Sequence, residues 1–294
     1  MKTEQILAID IGGTSVKYAY ISSSGKIENK SSFLTKEMNT IEEFLVPLKE
    51  ILEKAINSQI YKVGISSLGI FDQSGMCLGG VENLPFLEGN NLKELVSSCD
   101  NRIECNILND GSAAALGEYW LGEGVGCSNF LCITLGTGIG GAIVIDGKPV
   151  LGSHFQSGEI GYSDYQSEED YLEVKCSTIG ILREAAKRMQ VEEIRGHTFI
   201  EYVKQEEPIC TALFQHWMKM LGRMIANSML LLDPEIIIIG GGISAQKEWF
   251  CDRLYQQVQL YLPPSFSGKV PIKAAKHGND AGLLGAAQIC YYSE

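Results

Sequence analysis

Two glycine-rich turns have the composition of loops that bind phosphate groups. The first is Asp10-Ile-Gly-Gly-Thr14, and the second is Gly136-Thr-Gly-Ile-Gly-Gly141. Glycine lets backbone N–H groups approach an anion closely, and a threonine hydroxyl adds one more donor. The apolar, alternating stretches around each turn predict two β-strands joined as a hairpin. A plain tight hairpin would have the same composition, but two such turns in one chain favour a clamp for a triphosphate.

Several residues of these hairpins are candidates for contacts with a nucleotide and its metal ion. Asp10 ends a predicted strand, where a carboxylate can position a hydrated Mg2+ ion. Lys17 lies on the next predicted strand and faces either phosphate or solvent. The candidates for binding ATP in the two hairpins are Asp10, Gly12, Gly13, Thr14, Lys17, Thr137 and Gly138.

The second turn also matches the G-x-G-x-x-G spacing of dinucleotide-binding proteins. In those proteins the glycines are followed by a helix whose N-terminus holds the pyrophosphate. Here residues 142–146, Ala-Ile-Val-Ile-Asp, are predicted to form a strand instead. The context therefore excludes a dehydrogenase with a dinucleotide-binding fold.

The pair Asn109-Asp110 lies between a predicted strand, residues 102–108, and a predicted helix, residues 112–120. Asp110, like Ser112, has a side chain suited to cap that helix. A carboxylate at a strand end can also accept the proton of a hydroxyl group that attacks a phosphoryl group. Residue type and position alone leave both interpretations of Asp110 open.

The charge and the cysteines limit the classes of protein to which the chain can belong. Its 294 residues carry a net charge of −12, which disfavours nucleic acid as a partner. The nine cysteines include no Cys-x-x-Cys pair, which is typical of a reducing compartment and gives no zinc-ligand spacing. No apolar run is long enough for a membrane span, and the first residues do not resemble a signal peptide. We therefore expect a soluble, cytoplasmic protein.

The elements that position these residues follow from the hydrophobic pattern. Strands are predicted at residues 6–11, 15–21, 62–66, 102–108, 129–135, 142–146 and 235–239. Helices are predicted at residues 40–56 with Thr40 as N-cap, at 91–98, 112–120, 177–189 and 210–232, and from about Asp280 onward. The strand–glycine–strand pattern occurs twice, which indicates a weak internal duplication. The polar stretch 163–170 is predicted to be a surface loop.

Five segments occur in the order and spacing of the ROK family of sugar kinases, and the chain resembles that family over most of its length. They are Asp10-Ile-Gly-Gly-Thr14, Asn109-Asp-Gly-Ser-Ala-Ala-Ala115, Leu135-Gly-Thr-Gly-Ile-Gly-Gly141, Gly158-Glu-Ile-Gly161 and Gly240-Gly-Gly242. The resemblance implies an α/β, two-lobed actin-like ATPase fold of the hexokinase type, with the ligand cleft between the lobes. It implies a small lobe of residues 1–110, completed by a C-terminal helix at 279–294, and a large lobe of residues 111–278.

The resemblance also implies an ATP-dependent kinase that transfers phosphate to a sugar hydroxyl with Mg2+, acting as a homodimer. In this family Asp110 matches the catalytic base. The residues that match or border the sugar site are Gly69, Asn83, Asn109, Glu159 and Glu173, and Gly241 and Gly242 match an adenosine contact. A solvent-facing glutamate is the alternative for Glu173. Repressors of the family carry an additional DNA-binding domain at the N-terminus, for which no room is expected before Asp10.

The chain departs from the family where zinc-bearing members have Gly-Glu-Ile-Gly-His. Tyr162 replaces that histidine, and the cysteine-rich segment that follows it in those members is missing. Both differences predict that no zinc is bound. Tyr162 can contact a sugar by a hydrogen bond or by stacking, and a core tyrosine is the alternative.

The zinc-less form resembles the branch of the family that contains bacterial beta-glucoside kinase. That resemblance implies transfer to the 6-hydroxyl of the glucose unit of a β-glucoside such as cellobiose. A glucose or N-acetylmannosamine kinase is the first alternative. A non-catalytic sugar sensor is the second, although a sensor has no need of Asp110. A chaperone-type ATPase of the same fold would need insertions for which the chain is too short.

Overall fold

The computed structural model describes residues 4–242 and 246–292. These residues form two compact units. The first unit comprises the described residues up to Val125, residues 151–156 and those from Asn279 onward, and the second comprises the rest.

The strands and helices follow the chain in this order. The strands are β1 (Gln5–Ile11), β2 (Ser15–Ser22), β3 (Ile27–Leu34), β4 (Lys62–Ser67), β5 (Ile70–Phe71), β6 (Cys77–Gly79), β7 (Glu104–Asn109), β8 (Phe130–Leu135), β9 (Ile139–Ile145), β10 (Lys148–Pro149), β11 (Ile236–Gly240) and β12 (Ile272–Ala274). The helices are α1 (Ile41–Asn57), α2 (Leu92–Ser97), α3 (Asp110–Leu121), α4 (Leu172–Cys176), α5 (Thr178–Met189), α6 (Gly196–Lys204), α7 (Pro208–Leu232), α8 (Lys247–Gln259) and α9 (Ala281–Tyr292).

Each unit is built on a five-stranded sheet, and the two sheets have the same topology. The strand orders are β3-β2-β1-β4-β7 in the first unit and β10-β9-β8-β11-β12 in the second. In both, an antiparallel hairpin is extended by a third antiparallel strand on one side and by two parallel strands on the other. The two strand–glycine–strand patterns that indicated a weak internal duplication thus occupy equivalent places in the two sheets.

Helices cover both faces of the first sheet because side chains alternate between the faces of a strand. On β1, Leu7, Ile9 and Ile11 pack in the core that contains Phe44 of α1. Ile6 and Ala8 pack on the other face, in a cluster with residues of α9. The predicted N-cap of α1 is confirmed, since Thr40 accepts a hydrogen bond from the N–H of Glu43.

The boundary between the units lies after Val125, whereas the sequence analysis expected it after Asp110. The reason is the contact between α3 and α9, which keeps α3 in the first unit. A Cβ at Gly285 would lie 1.7 Å from the carbonyl oxygen of Ala113, so the two helix backbones approach closely only because that residue is glycine. Such contacts between distant segments are not visible in local sequence patterns.

The second unit has its core on one side of β8 and β11. Four consecutive isoleucines of β11 are buried, as expected for a central strand covered on both faces. Trp217 of α7 is buried in this core, and its Nε1 donates to the carbonyl oxygen of Cys176 at 2.7 Å. Residues 163–170 form an exposed loop, as predicted, with one isolated bridge between Ser167 and Asp170.

The sequence pattern did not predict β3, α6 or β12, whereas the helix expected after Gly242 is α8. The strand β3 is an edge strand with mostly exposed polar side chains, so it lacks the hydrophobic alternation of a covered strand. None of the helices in the described part of the chain is long and apolar enough to cross a membrane.

Candidate active site

Asp10 lies at the end of β1, between two neighbouring strands that supply its partners. Lys17 of β2 and Ser66 of β4 are its register partners in the sheet. The Ser66 hydroxyl donates to Asp10 Oδ1 at 2.8 Å, and Lys17 Nζ lies 3.5 Å from Oδ2. The Asp10 side chain keeps 17% of its surface exposed. It is therefore held in one orientation and still accessible, as a carboxylate that positions a hydrated cation must be.

The first glycine turn closes the β1–β2 hairpin next to Asp10. Gly12 N–H donates to the carbonyl oxygen of Ser15 at 3.1 Å, and Thr14 is exposed at the tip. Gly13 lies against the side chain of Asn83, since a Cβ at Gly13 would be 3.0 Å from that of Asn83. The structure thus brings a predicted sugar contact, Asn83, next to a predicted phosphate contact.

Asp110 follows β7 and is the first residue of α3. The predicted N-cap was Asp110 or Ser112, and this was wrong. Asn109 is the N-cap, because its Oδ1 accepts from the N–H of Ser112 at 3.0 Å. The Asp110 carboxylate instead accepts from the N–H of Gly111 at 2.8 Å. Asp110 is therefore not needed to cap the helix, and the residue as a whole remains accessible to solvent.

The parallel register places Asp10 and Asp110 at the same edge of the first sheet. Asp10 pairs with Ser66, and Ser67 pairs with Asn109. The carboxyl ends of parallel strands are a common location for ligand sites. Surrounding protein that displaces water raises the pKa of Asp110, and the negative charge of Asp10 raises it further, while the Gly111 N–H opposes the change. A carboxylate with a raised pKa is a stronger base.

Gly69 and Asn83 belong to the segment that follows β4 and contains the β5–β6 hairpin. Gly69 has φ +102°, and a Cβ there would lie 2.5 Å from Cγ1 of Val81. Only glycine fits at this position. The side chain of Asn83 is exposed and turns back onto Gly13.

The second glycine turn joins β8 and β9 in the second unit. Gly136 N–H donates to the carbonyl oxygen of Gly138 at 3.0 Å, and Thr137 is exposed at the tip. Gly241 has φ +86°, and a Cβ there would lie 2.1 Å from the carbonyl oxygen of Leu135. The structure therefore brings the predicted adenosine contacts Gly241 and Gly242 to the end of β8, where the predicted phosphate turn begins. Residues 243–245 lie outside the described part of the chain.

Glu173 contacts the second glycine turn. Its Oε2 accepts from the N–H of Ile139 at 2.7 Å. A Cβ at Gly138 would lie 2.3 Å from this oxygen, and one at Gly161 would lie 3.1 Å from it. The alternative of a solvent-facing glutamate is wrong, because this half-buried carboxylate is bound to the backbone. Glu159 is half-buried and immediately precedes the 3₁₀ turn Ile160–Tyr162.

Tyr162 is 57% exposed, so the alternative of a core tyrosine is wrong. Its ring is stacked on that of Tyr171, with centroids 5.3 Å apart and an interplanar angle of 15°. Within residues 4–242 and 246–292, no group of three His, Cys, Asp or Glu side chains is arranged to hold a metal ion.

Ser66, which is fully buried and holds Asp10, was not among the site residues predicted from the sequence. Its signal was a polar pair, Ser66-Ser67, at the end of an otherwise apolar strand. The second unit also contains a groove of about 710 Å³ between α6, α7 and α8, lined in part by Trp249, Arg253 and Lys204. None of the predicted site residues lines this groove.

Comparison with known proteins identifies the family. The profile of the ROK family matches residues 6–292. The chain belongs to the ROK family. A beta-glucoside kinase of Listeria innocua is 30% identical to it over 296 residues, which cover 96% of each protein. An N-acetylmannosamine kinase of Pasteurella multocida is 26% identical over 289 residues, which cover 96% of this chain and 94% of the other.

A solved structure of the same family supports the fold. The ROK glucokinase of Streptomyces griseus, in complex with glucose and AMPPNP, has a TM-score of 0.81 to this chain at 26% identity. The match covers 97% of this chain and 98% of the glucokinase. This ROK protein is thus an ATP-dependent sugar kinase with the actin-like, hexokinase-type fold.

Proposed function

We propose that this ROK kinase phosphorylates the 6-hydroxyl of the glucose unit of a β-glucoside such as cellobiose, with Asp110 as the base. The observation that supports this most directly is the position of Asp110. Its carboxylate has a raised pKa and stands at the strand edge that also presents Asp10 and the first glycine turn. Phosphoryl transfer needs a base beside an anion-binding site, and this edge offers both.

The residues present fit ATP and a magnesium ion. The exposed Thr14 and the N–H group of Gly13 can donate to phosphate oxygens, Gly12 lets the backbone approach them closely, and Asp10 can hold a water ligand of the ion. Lys17, 3.5 Å from Asp10, adds positive charge to a chain whose net charge is −12. The second unit supplies Thr137 and Gly138 for phosphate and Gly241 and Gly242 for adenosine. When bound, the ion neutralises charge on the transferring phosphate.

In the reaction the sugar hydroxyl oxygen forms a bond to the γ-phosphorus, and the bond to the β-phosphate oxygen of ATP breaks. Asp110 accepts the hydroxyl proton as this charge moves. The positive end of the α3 helix dipole lies at the same place and offsets negative charge there. The products are the sugar phosphate and ADP.

Sugar binding is assigned to Asn109, Glu159, Glu173, Asn83 and the backbone of Gly69. Because Asn109 Oδ1 caps α3, its Nδ2 group is the one that would donate to a sugar hydroxyl. Carboxylates such as Glu159 and Glu173 accept hydrogen bonds from sugar hydroxyls.

The preference for a β-glucoside rests on Tyr162. An exposed tyrosine stands where zinc-bearing members of the family have a histidine, and the loop after it is open to solvent. A second sugar ring or an aglycone could occupy such a surface. Glucose or N-acetylmannosamine is the alternative substrate, and the accessible base Asp110 disfavours a non-catalytic sensor. We further propose that the protein is cytoplasmic and forms a homodimer. Light scattering on the purified protein would test the dimer by its molar mass.

Enzymatic assays test this proposal directly. The release of ADP is measured with cellobiose, glucose and N-acetylmannosamine, for the native protein and for Asp110→Asn. The expected result is the highest kcat/KM for cellobiose and a loss of turnover by a factor of about 10² to 10⁴ in Asp110→Asn with ATP binding kept. Asp252→Asn, which changes an exposed aspartate of α8, is the control. Near-native turnover in Asp110→Asn would contradict the role of Asp110, and a strict preference for a monosaccharide would contradict the β-glucoside.

A further inference from the structure

Three tyrosines of the second unit stack beside the two candidate sugar glutamates. Tyr171 lies against Tyr162, as described above, and also against Tyr165, with centroids 5.8 Å apart and an interplanar angle of 29°. Tyr162 and Tyr165 nevertheless keep 57% and 55% of their surfaces exposed. We call these three residues the tyrosine platform. Exposed aromatic rings that lie together on a monomer surface are a common feature of binding sites.

The platform is connected to both glutamates by short stretches of backbone. Tyr162 ends the 3₁₀ turn that starts directly after Glu159, and Tyr171 is the N-cap of α4, two residues before Glu173. The turn and α4 also meet in space, because Gly161 packs against Glu173. The exposed rings therefore border the place where the proposed function puts the sugar.

Ion pairs and backbone hydrogen bonds hold the segment that carries the platform. Asp164 pairs with Arg223 of α7 at 3.3 Å, and Asp170 pairs with Lys175 of α4. Leu172 N–H donates to the carbonyl oxygen of Ser163 at 2.9 Å, which joins the two ends of the loop. The rings are thus held in place before any ligand binds, which lowers the entropy cost of binding.

The chemistry of the platform selects a neutral, ring-shaped ligand. The C–H face of a β-linked pyranose, like an aromatic ring, is flat and apolar enough to stack on tyrosine. The loop 163–170 contains four acidic residues, and among the described residues ion pairs are formed by Asp164 and Asp170. The carboxylates of Glu168 and Glu169 can accept hydrogen bonds from hydroxyl groups, and their negative charge repels a phosphorylated sugar.

From these observations we infer that the tyrosine platform binds the second ring of a neutral β-glucoside, and so determines the substrate specificity of the kinase. The inference rests on the proposed function, since it takes Glu159 and Glu173 as ligands of the phosphorylated sugar. It adds a specificity site formed by Tyr162, Tyr165 and Tyr171. Of these three positions, only 162 was compared with the family in the sequence.

Kinetics of Tyr165→Ala and Tyr165→Phe, with cellobiose and with glucose, test the inference. The ratio of kcat/KM for cellobiose to that for glucose is expected to fall roughly 3- to 10-fold in Tyr165→Ala, because glucose has no second ring to stack. Tyr165→Phe keeps the ring and is expected to keep most of the ratio. Tyr261→Ala, which removes another exposed tyrosine of the second unit, is the matched control and is expected to leave both rates unchanged.

Calorimetric titration with cellobiose gives a readout that does not depend on turnover. Weaker cellobiose binding in Tyr165→Ala than in Tyr261→Ala supports the inference. The inference would be overturned if Tyr165→Ala left the ratio of kcat/KM for cellobiose to that for glucose unchanged, or if Tyr165→Phe lowered this ratio as much as Tyr165→Ala. The proposed function would remain intact in either case, provided that both sugars were phosphorylated. If neither sugar is phosphorylated, the proposed function fails, and equal cellobiose binding by the two alanine variants then overturns the inference separately.

Discussion

Glu173 Oε2 accepts a hydrogen bond from the backbone N–H of Ile139 at 2.7 Å. Glu173 belongs to α4 and was assigned to the sugar, and Ile139 lies within the glycine turn that was assigned to phosphate. The contact fixes the turn and the glutamate relative to each other within the second unit. A change at one is therefore expected to alter the function of the other.

Gly138→Ala tests this coupling. The new Cβ would lie 2.3 Å from Glu173 Oε2, so the flexible carboxylate must move away and lose its hydrogen bond to Ile139. A hydrogen bond to a charged group contributes about 1.5–3 kcal/mol, so KM for the sugar is expected to rise roughly 10-fold or more. Gly136→Ala is the matched control, because a Cβ there meets nothing within 4 Å. Equal kinetics for the two variants would contradict the coupling.

Ser66→Ala removes the hydroxyl that donates to Asp10. The carboxylate then loses the hydrogen bond from Ser66 and is expected to hold the proposed magnesium ion less well, with a roughly 3- to 10-fold higher apparent KM for Mg–ATP. Its neighbour offers a close control, since Ser67 is equally buried and donates to the carbonyl oxygen of Leu68 instead. The role of Ser66 would be refuted if Ser67→Ala raised this KM as much as Ser66→Ala.

The pH dependence of kcat/KM is expected to reflect the raised pKa of Asp110. A base acts when it is deprotonated, so the acidic limb should lie above 3.8, the ordinary pKa of an aspartate. Asp10→Asn removes the negative charge that contributes to the shift, and the limb should therefore move to lower pH even though activity falls. The profile is measured at saturating Mg–ATP. A limb that stays in place would show that Asp10 does not influence the base.

Asp110→Asn is expected to raise the melting temperature at pH 7. Because the pKa of Asp110 is higher in the folded protein, its ionisation opposes folding, and its stabilising contribution is present only below the pKa of the unfolded chain. The gain should disappear as the pH falls below 3.8, where the carboxyl is protonated in both states. Thermal unfolding at several pH values measures this, with Asp252→Asn as the control. A destabilised Asp110→Asn at pH 7 would argue against a desolvated carboxylate.

Local patterns in the sequence predicted much of the fold and the motifs of the site. Both glycine turns form hairpins because their flanking residues alternate and their glycines allow the turns. The end of β7 at Asn109 was visible because an apolar run gives way there to polar residues and a helical pattern. Thr40 was recognisable as an N-cap from its type and place alone.

Contacts between distant residues decided the rest. No local signal distinguished Asn109 from Asp110 or Ser112 as the cap of α3, because all three side chains can cap a helix. The edge strand β3 was missed because its stability comes from pairing with β2 and not from a hydrophobic face. The packing of Gly285 on Ala113, which assigns α3 to the first unit, joins residues far apart in the chain.

By itself the sequence determined most of the helices and strands, the two glycine turns, the candidate base and the family, since each depends on residue types at short spacing. Only the tertiary structure decided that Ser66 holds Asp10, that Glu173 binds Ile139, and that Tyr162 is exposed in a stack with Tyr171 and Tyr165. These relationships join separate strands, turns and helices, and such contacts form only when the chain has folded and packed its cores. The candidate base Asp110 was thus recognisable from its motif, whereas the contacts that hold Asp10 and Glu173 exist only in the folded chain.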